Sequence, residues 1–324
     1  MLMLRRLFSA QAILPETIDY TRINDIYDRF GPTPRLCIDY LFDVAMLVEH
    51  ERKVNKMVSN VTAAQLEQLF KDAASLDMDA VSHKICLISR KQRDDMHSDV
   101  VVAPITSFIR SILVKQIRSI ERAERIRLYK LFAKVPDSRA VADMFFEALA
   151  QQDLQEGTVL KLIPMVRLKP GQKNKSDSTD DEKKSQWYSS HLSLDNVSLE
   201  ASRQEALEQV LTINIHPSET LEFTKDGPSH IVPDVFYVPE VTNHEALDSF
   251  LLLNGCLYIF QFTIGKNHGI KSGLIRFLEK YPGVPPMKDW KFVFVIEPNL
   301  TLVCPQPWFL KMRELHPYSA VLSF

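Results

Sequence analysis

Asn254-Gly255 stands between two apolar runs, DSFLLL before it and CLYIFQFTI after it. Asn-Gly is the preferred pair for a two-residue type I′ turn, because both central residues need positive φ. Such a turn fixes register. Leu253 faces Cys256, and each step away from the turn pairs one residue back with one residue forward until Asp248 lies opposite Gln261. Side chains alternate along a strand, so Thr263 points to the same face as Gln261, two residues further on. The hairpin between these ends is apolar (Phe250, Leu251, Leu252, Leu257, Tyr258, Ile259, Phe260), which leaves Asp248, Gln261 and Thr263 gathered at its open end.

The rest of the 324 residues is long enough for about two domains. From Ile18 to about Val135 the apolar spacing is mostly helical, so residues 18–135 read as a helical module preceded by an unassigned segment, 1–17 (MLMLRRLFSAQAILPET). That segment has the basic and apolar look of a short targeting peptide, but its arginines interrupt the apolar stretch that a signal peptide needs. A helix is expected from about Ile105 to Phe132. On its polar face Lys115, Arg118, Arg122 and Arg125 form one stripe, which either follows a phosphate backbone or is a solvated face paired with Glu121 and Glu124. Pro136 marks a boundary. Residues 137–324 alternate helices and strands, the order of an α/β (α+β) domain with a mixed sheet. Within them Lys169–Ser185 (KPGQKNKSDSTDDEKKS) has no apolar residue and reads as a flexible insertion. A helix is expected over Ile270–Tyr281 and another over Pro307–Leu315. No apolar run reaches 18 residues, so no membrane span and no membrane partner are expected.

Composition narrows the chemistry. Nine glycines in 324 residues fall well below the usual ~7%, and none stands in GxxxxGK[ST], GxGxxG or GxSxG. A P-loop, a dinucleotide fold and a hydrolase nucleophile elbow have no support. The net charge of −2 means that any affinity for nucleic acid must come from a local patch. Cys37, Cys86, Cys256 and Cys304 are widely spaced with no CxxC, which fits reduced thiols, and no HExxH suggests zinc.

An acid on one strand opposite an acid or amide on the next, with a polar residue two positions later, is the layout of a metal-dependent nuclease of restriction-endonuclease-like fold. There the oxygen ligands hold Mg²⁺, which polarises the phosphate and supplies a hydroxide. Such sites show D followed by (D/E)xK. This chain has Gln261-Phe262-Thr263, and the strand lysine is missing. Lys266 and Lys271 follow, and Lys271 lies where its ammonium can reach back to the hairpin end. The alternative is that Gln261 and Thr263 satisfy strand-end backbone groups, and hairpin geometry alone leaves both readings open.

The stretch PDVFYVPEVTNHEALDSFLLLNGCLYIFQFTIGKNHGIKSGLIRFLEKY resembles the C-terminal nuclease-like domain of Crinkler proteins and, more remotely, the retrotransposon hot spot proteins. RLYKLFAKVPDSRAVADMFFEALAQQDLQEGTVLKLIPMVR resembles the same family just upstream. The resemblance implies a restriction-endonuclease-like domain in which Glu147 joins Asp248 and Gln261 around the metal. His268 and Lys271 fall in the matching HxIK segment, where His268 either donates to phosphate or, from its position just ahead of Ile270, caps the following helix, and that position favours capping. IYDRFGPTPRLCIDYL resembles the helical lid that follows the family's ATPase core, with Arg35 at its nucleotide-sensing position, although neither Walker element is present and the chain looks like the back half of a longer architecture. The implied function is a Mg²⁺-dependent DNA endonuclease acting as an effector inside cells or in nuclei, or secreted and delivered to a host nucleus. The alternatives are an inactive module that binds nucleic acid or host and partner proteins, and a remnant ATPase regulator.

Overall fold

A computed structural model describes residues 20–32, 36–37, 39, 43–74, 82–92, 98–168, 186–194, 197–224, 227–240, 247–271, 273–305 and 315–324. The N-terminal segment 1–17, Arg35, the insertion 169–185 and nearly all of the helix expected over Pro307–Leu315 lie outside the described residues. The chain divides into two compact units, Met1–Ile120 and Glu121–Phe324.

In the first unit the helices α1 (Tyr20–Phe30), α2 (Val44–Ser59), α3 (Ala63–Ala74), the short α4 (Ser82–Ile85) and α5 (Ser107–Ser119) accompany a hairpin, β1 (Cys86–Gln92) and β2 (Ser98–Pro104). The two strands are antiparallel, with Cys86 opposite Pro104. α1 buries Ile23, Ile26 and Phe30 at helical spacing, and α5 buries Ile109, Ile112, Leu113 and Ile117. Thr106 caps α5: its hydroxyl oxygen accepts from the Ile109 amide at 3.1 Å and donates to the Arg29 carbonyl at 2.8 Å, tying the start of α5 to the end of α1.

The second unit begins with α6 (Arg122–Ala133) and α7 (Arg139–Glu156). The single helix expected from Ile105 to Phe132 is therefore two. Ile120 has extended backbone (φ −74°, ψ 144°), which ends α5. α6 packs against α7 and belongs to the second unit, so the division falls before α6 and not at the expected Pro136. After α7 come β3 (Thr158–Pro164), β4 (Val166–Leu168), β5 (Gln186–Tyr188), α8 (Val197–Glu208), β6 (Leu211–Ile215), β7 (Glu219–Phe223), β8 (Val235–Pro239), β9 (Ser249–Leu253), β10 (Cys256–Thr263), α9 (Gly273–Leu278), β11 (Trp290–Ile296), β12 (Val303–Pro305) and β13 (Pro317–Val321). Eight strands form one mixed sheet in the order β6-β3-β13-β11-β10-β9-β8-β7, and β12, β5 and β4 form a small second sheet. This is the mixed α/β architecture that the alternation of elements predicts.

The middle of the large sheet positions the candidate site. β8, β9 and β10 run as an antiparallel meander, the chain crosses through α9, and β11 returns parallel to β10, followed by β13 parallel to β11. β11 (WKFVFVI) is buried over nearly its whole length, as a strand covered on both faces must be. Leu257 and Ile259 of β10 share one core with Phe250, Leu252, Phe292, Phe294, Ile296 and the α9 residues Leu274 and Leu278. Side-chain alternation then assigns odd positions of β10 and even positions of β9 and β11 to the face that α9 covers. No helix among the described residues is long and apolar enough to cross a membrane.

Candidate functional site

Asn254 and Gly255 have φ of 52° and 77°, so both central residues of the turn are left-handed. The ladder runs from Cys256 opposite Leu253 to Phe260 opposite Ser249, the register that the turn dictates. One step beyond, the Asp248 amide donates to the Phe260 carbonyl at 3.1 Å. The Asp248 carboxylate then takes over from the backbone. Its Oδ2 accepts from the Phe262 amide at 2.8 Å and from the Gln261 side-chain nitrogen. The expected opposition of Asp248 and Gln261 is thus a direct hydrogen bond, made by a residue only 8% exposed. Thr263 uses its hydroxyl oxygen to accept from the Gly265 amide at 2.9 Å, which satisfies a strand-end donor.

Glu147 is buried on α7, on a stripe at four-residue spacing: Arg139, Asp143, Glu147, Gln151. The two ends of the stripe hold the hairpin. Asp143 Oδ1 accepts from the Ile264 amide at 3.1 Å, Arg139 Nε donates to the Ile264 carbonyl at 3.2 Å, and Gln151 Nε2 donates to the Asp248 carbonyl at 3.4 Å. Glu147 lies one turn from both Asp143 and Gln151, so α7 brings it alongside β9 and β10. Among the described residues no group of three or more His, Cys, Asp or Glu comes together in a way that could hold a metal. Arg139 also pairs with Glu297 at 3.3 Å, and Glu297 accepts from the Tyr129 hydroxyl at 2.9 Å. Burial, and then this bond to Glu297, push the Tyr129 hydroxyl above its usual range. Arg139, Asp143, Gln151, Tyr129 and Glu297 escape a motif-based reading. The visible signal was the polar stripe on an otherwise apolar helix, RAVADMFFEALAQ.

Downstream of β10 the loop is stitched to β12: the Val303 amide donates to the Lys266 carbonyl at 2.7 Å and the His268 amide to the Val303 carbonyl at 3.1 Å. This pairing keeps the loop extended, and α9 is six residues long, Gly273–Leu278, shorter than the expected Ile270–Tyr281. His268 is therefore not a helix cap; its Nδ1 meets the Gly269 carbonyl at 3.2 Å and its ring stands edge-on to Phe294 at 5.9 Å. Burial lowers its pKa from the ordinary 6.5, and the nearby Lys271 ammonium lowers it further, against the opposing effect of the Gly269 carbonyl. Lys266 and Lys271 are exposed.

The basic stripe does not form as expected. Lys115 and Arg118 sit on α5, whereas Arg122 and Arg125 sit on α6 in the other unit. Arg122 pairs with Asp153 at 2.7 Å, and Arg125, 3% exposed, hydrogen-bonds the Gln152 side chain. Lys115 is exposed and Arg118 half-buried. All four cysteines are free, and burial pushes the Cys86 and Cys304 thiols up to about 12. Comparison of the chain with protein-family models, with curated proteins and with solved structures finds no match.

Proposed function

We propose that Glu121–Phe324 is a restriction-endonuclease-like unit that hydrolyses phosphodiester bonds of DNA with Mg²⁺. The observation that carries this reading is the contact of Asp248 with Gln261 at the open end of the β9–β10 hairpin, beside a loop with two exposed lysines. The oxygen donors there are the Asp248 carboxylate and the Gln261 amide oxygen, with Glu147 on the adjoining helix. Mg²⁺ is usually held by one or two carboxylates, with substrate phosphate and water completing its shell, and this set meets that minimum. When bound, the ion supplies charge stabilisation at the phosphate and an acidified water. The chain's own residues do the rest. Phe262 and Gln151 hold Asp248 by its carboxylate and its carbonyl, and Lys266 and Lys271 offer ammonium groups to the phosphate backbone.

A second reading, a module that binds nucleic acid without cutting it, is favoured by one observation. Gln261 presents its nitrogen to Asp248, so Oδ2 is already filled by two donors. Supercoiled plasmid incubated with the full chain separates the two. With Mg²⁺, nicking is expected, and EDTA should abolish it. Asp248→Asn keeps an acceptor for the Phe262 amide yet removes the charge, and it should nick about 10²-fold more slowly or worse. Nicking that survives EDTA or Asp248→Asn rules out the metal mechanism. No nicking, with salt-sensitive DNA binding, leaves the binding module.

A further inference from the structure

The strand that carries Gln261 has no lysine two residues on, and a phosphodiesterase site still needs a group to take a proton from the attacking water. Register across the sheet points to one. Gln261 of β10 is paired in parallel with Phe294 of β11. Partners in a parallel ladder project to the same face, and Phe294 belongs to the core on the face of Ile259, Leu257 and α9. The His268 ring stands against Phe294 of β11, so it lies on the face of Gln261, one strand from it and two from Asp248. The loop holding it is fixed by backbone pairing with Val303 on both sides of Asn267.

The tautomer follows from chemistry. A carbonyl oxygen only accepts, so Nδ1, which meets the Gly269 carbonyl at 3.2 Å, carries the proton. Nε2 is then the basic nitrogen. We propose that neutral His268 is the general base of the site, accepting at Nε2 a proton from the water that attacks the phosphodiester. In the step the water oxygen forms a bond to phosphorus while its proton passes to Nε2. The bond from phosphorus to the leaving oxygen breaks with its electron pair on that oxygen, which takes up one proton. The imidazolium returns one proton to solvent, so the residue ends neutral and the sum is hydrolysis. The charged group that acts on the ring is the Lys271 ammonium, on its own loop. β11 contributes Phe294, whose ring the imidazole meets edge-on. Burial and then the Lys271 ammonium favour the uncharged imidazole, against the opposing effect of the Gly269 carbonyl, and the uncharged imidazole is the form a base requires.

This inference rests on the phosphodiesterase reading, and the experiment keeps the two apart. His268→Asn retains an amide donor for the Gly269 carbonyl but no base. Its Mg²⁺-dependent nicking should fall about 10²-fold while DNA binding is unchanged. His268→Ala should fall as far, and added imidazole should restore part of its activity. Without metal, ¹⁵N spectra of the full chain should show His268 as the Nδ1–H tautomer. An Nε2–H tautomer, or His268→Asn nicking within about threefold of wild type while Asp248→Asn is inactive, overturns the role of His268 alone. Wild-type protein that does not nick at all overturns the phosphodiesterase reading, and the base with it.

Discussion

Asp248 ties the two strands of the hairpin together through its carboxylate, which accepts from the Phe262 amide and the Gln261 side chain, and its carbonyl accepts from Gln151 on α7. Its removal therefore has a structural consequence that can be told apart from a chemical one. Asp248→Ala strands the buried Phe262 amide without its acceptor and should cost about 1–3 kcal/mol in urea unfolding, while Asp248→Asn, which keeps an oxygen there, should cost less. Equal losses for both would mean that the charge, and not the Phe262 bond, is what the fold uses. Gln261 makes the complementary case. Gln261→Glu replaces a donor by a second carboxylate in contact with Asp248, and two such groups resist joint ionisation. In metal-free buffer at pH 7 the variant should melt below wild type, and Mg²⁺ should raise its melting temperature more than it raises that of wild type. An unchanged response to Mg²⁺ would argue against a cation between the two side chains.

At the scale of elements, what the sequence makes legible is what is local. The turn at Asn254-Gly255 needs two residues with positive φ, and those residues are chemically distinctive, so strand register and the opposition of Asp248 to Gln261 can be read directly. Beyond its two chain neighbours, Gly255 has no atom within 4 Å of where a Cβ would stand. Gly255→Ala should therefore cost only the left-handed backbone penalty of about 1–2 kcal/mol, measured by chemical denaturation. The break at Ile120 is the opposite case. Ser119-Ile120-Glu121-Arg122 holds no glycine or proline, and nothing local stops a helix there. The second helix is claimed by α7, where Arg125 finds Gln152 and Arg122 finds Asp153. The clamp on Ile264 is likewise beyond a sequence reading, because Arg139 and Asp143 reach across more than a hundred residues to it. These contacts predict that Arg125→Ala acts on stability and not on DNA. A loss of about 1–3 kcal/mol is expected in urea melts, with no change in the salt slope of DNA binding; a reduced slope would return Arg125 to the phosphate surface.

On the scale of the whole molecule, each unit carries a histidine that burial holds neutral, and this sets how the chain answers to acid. In the first unit burial lowers the His50 pKa, helped by Lys84 and Lys53. In the second, burial lowers that of His191 from the ordinary 6.5, with Arg203 adding to it and the Pro298 carbonyl opposing it. His191 uses Nε2 to donate to that carbonyl at 3.0 Å, and its Nδ1 is buried without a hydrogen-bond partner. Protonation would place an N–H where no acceptor stands. Since the unfolded chain takes up the proton near pH 6.5 and the folded chain does so only at lower pH, the unfolded state binds more protons in that window, and stability falls as pH drops below 6.5. The thiols work at the other end. Cys86 and Cys304 ionise near 9.0 when unfolded but only at about 12 when folded, so stability also falls as pH rises past 9.0. Melting temperature plotted against pH should form a plateau between about 6.5 and 9 with a shoulder on each side. His191→Gln, which keeps a donor for Pro298 and cannot be protonated, should flatten the acid shoulder by at most about 1.4 kcal/mol per pH unit crossed. An acid limb identical to that of wild type would show that His191 is protonated as readily in the folded chain as in the unfolded one.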